Sequence, residues 1–321
     1  MQQNRLMRRT AVYCIAFVLA AMSAMLYYSA NKIIVVADVA QDEVVQSTDH
    51  EGTAGGENAD KTHIKIERDS RASDYFCIPL PDNVKPEEVT LENHYMDQEL
   101  WVSIDLKDPE DQRRFYENQS VYGDCENVLD GHFGVERKRI CLRFALTNVF
   151  EYQSFFENNT LYVKFVPPKE VYDKIVVIDP AYGADESGGE SEDVKGKNIT
   201  LDIAKALKTK MDETDIKVYY TRMDDSNPDD RTRVRLAVAT NADMLIRIEV
   251  GSAKNSRIYG TEAVCNSSFF IPDFGSVELA DLLEREVVTA ISGKANGLVE
   301  VTETDVVIRE ATVPAAAIKA G

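Results

Sequence analysis

The sequence predicts an α/β layer fold over residues 171–321, preceded by a small mostly-β domain at 73–170 and an N-terminal transmembrane helix. Three observations carry that expectation. Short β-branched runs alternate with helix-spaced stretches in the C-terminal half, the order that layered α/β domains require. Runs of alternating apolar and polar residues recur in the middle of the chain. An uncharged apolar run stands near the start.

That run covers residues 10–30 and includes Val12, Ile15, Phe17, Val18, Leu19 and Leu26. About twenty such residues match the hydrocarbon thickness of a bilayer. Arg5, Arg8 and Arg9 precede it, so the positive-inside rule makes residues 1–9 a cytoplasmic tail and places everything downstream outside the cell. The expected location is the cell membrane, single-pass. A cleaved signal peptide is the competing reading, because Ala21, Ser23 and Ala24 are small. Residues 31–72 read as a flexible linker: Gly52, Gly55 and Gly56 lie among Asp, Glu, Ser and Thr, with too little apolar surface to offset the entropy of ordering.

The 321 residues are 44% hydrophobic, enough for two domains with a sizeable core. A formal net charge of −19 repels phosphate backbones, which argues against nucleic acid as a partner. The five cysteines include no CxxC pair. Cys14 falls in the apolar run, and a bridge among Cys77, Cys125, Cys141 and Cys265 is left unassigned.

In the β-rich region, residues 100–106, 140–146 and 160–166 alternate as half-buried strands do, which suggests a small antiparallel sheet or sandwich. Beyond it, 174–178 reads as a strand covered on both faces. A helix follows with Ile199, Ile203, Leu207 and Met211 on one side and Asn198 as its N-cap. Then come a strand at 217–221, a helix at 232–240 and a strand at 244–248. Ser276 is expected to cap a helix carrying Leu279, Leu283, Val287 and Ile291.

The strand ending in Asp179-Pro180-Ala181-Tyr182-Gly183-Ala184, the turn at Gly196-Lys197-Asn198, the pair Thr221-Arg222 and the helix Arg233-Val234-Arg235-Leu236-Ala237 occur in the order and at the spacings of a known frame. This half resembles the zinc-dependent N-acetylmuramoyl-L-alanine amidases, which cut between the glycan and peptide of peptidoglycan. The resemblance implies an amidase-like sheet flanked by helices, with residues 260–262 as an edge strand and a domain shorter at its C-terminus than the family's. The region at 73–170 looks like the AMIN (amidase N-terminal) type of domain that often precedes such amidases.

In that family, zinc is held by His, Glu and a second His, with a further Glu as general base. Here Tyr182 replaces the first His, Gly196 the Glu, Glu249 the second His and Lys319 the base, while Asp179 remains. A neutral phenol is a poor zinc ligand and glycine offers none. The four histidines are His50, His63, His94 and His132, none in the amidase-like half, so no two-His zinc site can be assembled there. No cofactor is therefore expected. Asp179 and Glu249 with Asp185, Glu186 or Asp193 holding a harder cation is the less favoured alternative. The emptied pocket is instead expected to hold a Glu249–Lys319 ion pair, with the Tyr182 hydroxyl donating to the carboxylate.

The resemblance implies a cell-envelope protein that is catalytically inactive. It would bind peptidoglycan or a cell-wall or division protein, or regulate wall remodelling. An active amidase with an atypical site and a structural membrane-anchored scaffold are the alternatives.

Overall fold

A computed structural model describes residues 37–38, 62–68, 73–82, 84–105, 109–136, 139–191, 194–251 and 259–320. The tail at 1–9, the apolar run at 10–30, and residues 31–36, 39–61 and 69–72 of the expected linker lie outside the described residues. Among the described residues no helix is long and apolar enough to cross a membrane.

The N-terminal part is two sheets packed face to face. One has the order β1-β5-β6-β9-β8-β2: β1 Ala37–Asp38, β2 Thr62–His63, β5 Val89–His94, β6 Glu99–Asp105, β8 Val128–Glu136 and β9 Arg139–Leu146. The other has the order β10-β11-β4-β7-β3: β3 Lys65–Glu67, β4 Phe76–Pro79, β7 Ser120–Gly123, β10 Glu151–Glu157 and β11 Thr160–Val166. Alternation along each strand sends one set of side chains inward. Leu100, Val102, Ile104, Leu142 and Phe144 of the first sheet thus meet Phe76, Ile78, Val121, Leu161 and Val163 of the second in one core. Phe76 and Phe144 cross edge to face with centroids 5.0 Å apart. A helix, α1 Pro109–Asn118, and a single turn, α2 Pro168–Val171, complete this part. Strands stand inside the segment read as a linker, β1 at Ala37–Asp38 and β2 and β3 at Thr62–His63 and Lys65–Glu67, and Ile64 is buried in this core. The β region therefore extends upstream of residue 73, the start its sequence suggested.

The C-terminal part is a six-stranded sheet of order β15-β12-β16-β19-β17-β18. Its strands are β12 Ile175–Pro180, β15 Lys217–Tyr220, β16 Met244–Val250, β17 Thr261–Cys265, β18 Ala295–Glu300 and β19 Ala315–Ala320. The hairpin β13 Glu190–Ser191 and β14 Val194–Lys195 precedes α3 Gly196–Met211. The remaining helices are α4 Asp230–Ala239, α5 Ser276–Ile291 and α6 Val306–Glu310. The first four strands in spatial order are parallel, and β17 runs antiparallel to β19. Residues 260–262 do not form an edge: β17 lies between β19 and β18, and β18 takes the edge position.

Ile178, Val218 and Ile248 pack against Ala204 and Leu207 of α3, and Ala316 and Ile318 against Leu279 and Ala280 of α5. The opposite face carries Ile175, Val177, Leu245, Ala315 and Ala317 against Leu236 of α4 and Val307 and Ile308 of α6. Tyr95 and Val149 of the N-terminal part enter this second core. The Tyr95 hydroxyl donates to the Tyr220 carbonyl at 3.0 Å and accepts from the Tyr220 amide at 3.1 Å. Tyr219 donates to the buried Glu151 at 2.5 Å, and Lys217 pairs with the same carboxylate at 3.2 Å. The two parts thus share a core and a buried ion pair.

Two expected helix caps are displaced. The helix at 196 starts two residues before Asn198, because the Gly196 and Lys197 amides donate to the Gly189 and Ser187 carbonyls (3.0 and 2.9 Å). Ser276 is the first residue of α5, not its cap, and its hydroxyl accepts the Ala315 amide at 3.1 Å. Glu278 accepts the Gly275 amide at 3.0 Å instead.

Candidate functional site

The site lies at the C-terminal ends of β12, β16 and β19, on the face covered by α4 and α6. Strand register assembles it. Asp179 stands opposite Arg247, Glu249 opposite Lys319, and Lys319 opposite Glu262. Arg247 and Glu249, two apart on β16, point to the same face. One face therefore carries an alternating row of charges running across the sheet.

The contacts follow that row. Arg233, from α4, donates to Asp179 Oδ1. Arg247 Nη1 donates to Asp179 Oδ2 at 2.5 Å, and Arg247 Nε to Glu249 Oε1 at 2.7 Å. Lys319 Nζ lies 3.6 Å from Glu249 Oε2 and 3.8 Å from Glu262 Oε1. Three cations and three carboxylates alternate, so each buried charge has an opposite charge beside it.

Asp179 is fully buried and also accepts the Thr221 hydroxyl at 2.5 Å. Burial by itself pushes its carboxyl up, but the Arg247 and Arg233 guanidiniums and the Thr221 hydroxyl outweigh burial and hold it below the usual carboxylate range. Arg247 shows the same contest with the sign reversed. Burial disfavours its charge, yet Asp179 and Glu249 raise it above its ordinary value.

Two of the frame arginines, Arg222 and Arg233, hold the turn after β12. Arg222 donates to the Pro180, Ala181 and Lys197 carbonyls at 2.8–2.9 Å. Arg233 reaches the Tyr182 carbonyl at 3.3 Å and Asn227 Oδ1 at 2.7 Å. Those bonds fix Tyr182 in a left-handed conformation (φ 70°). Burial, then the nearby Glu249 charge, push the Tyr182 phenol up to about 12, so it is neutral at physiological pH.

The Tyr182 ring covers Gly188, where an added Cβ would lie 2.0 Å from the ring. At Gly196 an added Cβ would lie 2.2 Å from the Gly188 carbonyl oxygen. The Gly196 position is thus closed, as well as lacking a side chain. Next to Arg247 and Glu249 is a cleft of about 20 Å³, lined also by Asp230, Thr304 and Asp305, which is room for roughly one water.

These residues do not fit a hydrolytic zinc ion. Such a site takes three protein ligands from imidazole, carboxylate or thiolate. The phenol is neutral, the Gly196 position is blocked by the 187–189 backbone, and Glu249 is bonded to Arg247 and beside Lys319. A dication would also meet both cationic side chains. The harder-cation alternative fares no better among the described residues. Asp185 and Glu186 are exposed, with Glu186 turned to Asn227 at 3.2 Å, while Asp179 is saturated by two guanidiniums. Asp193 lies outside the described residues.

Asp179, Glu249 and Lys319 are brought together, with Tyr182 and Gly196 stacked beside them through Gly188. The Tyr182 hydroxyl is not among the hydrogen-bond partners of Glu249, whose Oε1 accepts from Arg247 Nε. Arg247 is the residue that sequence reasoning missed. Its i, i+2 spacing from Glu249 on a strand was the available signal.

Residues 176–321 match the N-acetylmuramoyl-L-alanine amidase family. The chain is 23% identical over 128 residues to the N-acetylmuramoyl-L-alanine amidase LytC of Bacillus subtilis (strain 168), covering 40% of this chain and 25% of that protein. It therefore spans about a quarter of the length of that curated relative. Among solved structures, the N-acetylmuramoyl-L-alanine amidase of Clostridium difficile 630 is 31% identical, covering 46% of this chain and 78% of that one, with a TM-score of 0.42. The catalytic domain of CwlV from Bacillus (Paenibacillus) polymyxa var. colistinus is 27% identical over 46% of this chain and 79% of that one, at 0.41. Residues 176–321 thus form an N-acetylmuramoyl-L-alanine amidase domain, of a family whose general property is zinc dependence.

Proposed function

We propose that this protein is a non-hydrolysing member of the amidase family, held at the outer face of the cell membrane, that binds peptidoglycan or a cell-wall or division protein. The supporting observation is the Arg247 guanidinium between Asp179 and Glu249 (2.5 and 2.7 Å). It supplies organic positive charge at a pocket where the family uses a metal, and a guanidinium neither activates water nor offers an open coordination position. The uncharged run at 10–30, preceded by three arginines, supports membrane anchoring. The β-rich part preceding the amidase domain supports an AMIN-like localising role.

Incubation of the full-length chain with purified peptidoglycan tests this reading. Co-sedimentation with the wall and no soluble muropeptide is the expected result. Chelator-sensitive release of muropeptide would overturn the proposal of inactivity. Absence of co-sedimentation would shift the binding role to a protein partner or to a scaffold.

A further inference from the structure

Away from the amidase domain, three metal-ligating side chains converge on the outer face of the six-stranded N-terminal sheet. They are His63, Asp130 and His132, with ligand atoms all within 4.8 Å of one another. Strand register puts them there. β2 pairs antiparallel with β8 so that His63 lies directly opposite His132. Such pairs place their side chains on one face with Cβ atoms about 5 Å apart. Asp130, two residues before His132, shares that face, while Ile64 and Phe133 turn to the core.

We propose that His63, Asp130 and His132 form a binding site for a divalent transition metal that clips β2 to β8. Two imidazoles and a carboxylate, with a further position open to water, suit zinc or its first-row neighbours. His63 Nδ1 lies 3.5 Å from Asp130 Oδ1, and His132 Nε2 lies 3.1 Å from Asp130 Oδ2, so each imidazole faces one oxygen of the same carboxylate. Ligands about 2.0–2.1 Å from a tetrahedral zinc stand roughly 3.3 Å apart, so the three ligand atoms, spread over as much as 4.8 Å, would draw in to hold it.

The surroundings set the strength. His132 Nδ1 is buried and lacks a hydrogen-bond partner among the described residues. The ring therefore misses the outer contact that orients ligating imidazoles, and the site binds more weakly than one with that contact. Arg143 is the cross-strand neighbour of His132 on the other side, and its guanidinium lies 3.9 Å over the Trp101 ring. The local cation is opposed by the chain's net charge of −19. The consequence is structural: β2 is only two residues long, and a metal would join it to β8 by ligand bonds from both strands.

The test uses the full-length chain, stripped with chelator and dialysed against Zn²⁺ alone. One equivalent should bind. His63→Ala and His132→Ala should each weaken binding at least about tenfold, while Glu249→Gln keeps it. Zinc should slow amide exchange in β2 of the unaltered chain and have no such effect in His132→Ala. The His63 side chain is 73% exposed, so its replacement removes a ligand without opening the core. Absence of bound zinc, or zinc retained by both histidine variants, would overturn this site. Zinc lost from Glu249→Gln but kept by His63→Ala would overturn it too and move the metal to the amidase pocket. Failure of the histidine site alone leaves the proposed function standing.

Discussion

Arg247 stands directly across the β12–β16 ladder from Asp179, its Nη1 2.5 Å from Asp179 Oδ2. With Glu249 on its Nε, one guanidinium serves two carboxylates, one of them fully buried. Arg247→Ala leaves Asp179 with Arg233 alone and strips Glu249 of its closer cation. Removing one partner of a buried pair costs on the order of 3–5 kcal/mol. Urea unfolding of the variant should show a loss in that range. A loss below about 1 kcal/mol would mean that solvent screens the row.

The other end of the row is open. The Lys319 side chain is 27% exposed and sits 3.6 Å from Glu249. Lys319→Ala should therefore cost less than about 1 kcal/mol, the range of solvent-screened pairs. In the same unfolding series the two variants should rank with Arg247→Ala far more damaging. Equal losses would refute the graded burial of the row.

Acid stability follows from Asp179. Its carboxyl is held below the ordinary value in the folded state, against about 3.9 when unfolded. At acid pH the unfolded chain then binds more protons. The contribution to stability is whole above the unfolded value and is lost as pH falls through the folded one. Arg247→Ala removes the larger of the two arginine charge effects opposing burial, so its acid unfolding should begin at higher pH. Asp179→Asn should show a flatter dependence of stability on pH below about pH 5. An unchanged acid limb in both variants would assign acid unfolding to other carboxylates.

How far the sequence reached depended on whether the cause was local. Strands β6, β9 and β11 were legible because alternation is a local record of burial, and β12, β15 and β16 because β-branched runs mark strands covered on both faces. The charges of Glu249 and Lys319 were legible through family spacing, and their proximity follows from β16–β19 register. The partner of Arg247 was not, since pairing β12 beside β16 is decided by long-range contacts. Asn198 failed as a cap for the same reason: its competitors were the carbonyls of residues 189 and 187, folded back onto the amides of Gly196 and Lys197. The His63–His132 meeting was equally hidden, because it needs the register of two strands 69 positions apart in the chain.

The last expectation concerns rebuilding the site. Tyr182→His, Gly196→Glu, Glu249→His and Lys319→Glu together write the family's ligands and base into this chain, yet the fold resists them. A side chain at 196 begins with a Cβ 2.2 Å from the Gly188 carbonyl oxygen, and that oxygen belongs to backbone. Gly196→Ala alone should therefore destabilise, by about 1–3 kcal/mol for an overpacked site. That outweighs the gain of about 1 kcal/mol alanine offers inside a helix. Moving residues 187–189 away to make room would release the two amides they cap, at Gly196 and Lys197. Histidine at 249 would also leave Arg247 beside the metal, now facing Asp179 alone. The combined variant, made in a His63→Ala background so that zinc at the outer site does not confuse the count, should bind no stoichiometric zinc and release no muropeptide. Adding Arg247→Ser removes the competing cation but not the blocked glycine, so it should remain inactive. Chelator-sensitive muropeptide release by either version would show that the 187–189 backbone yields to a ligand, and that side chains alone account for the inactivity proposed for this domain.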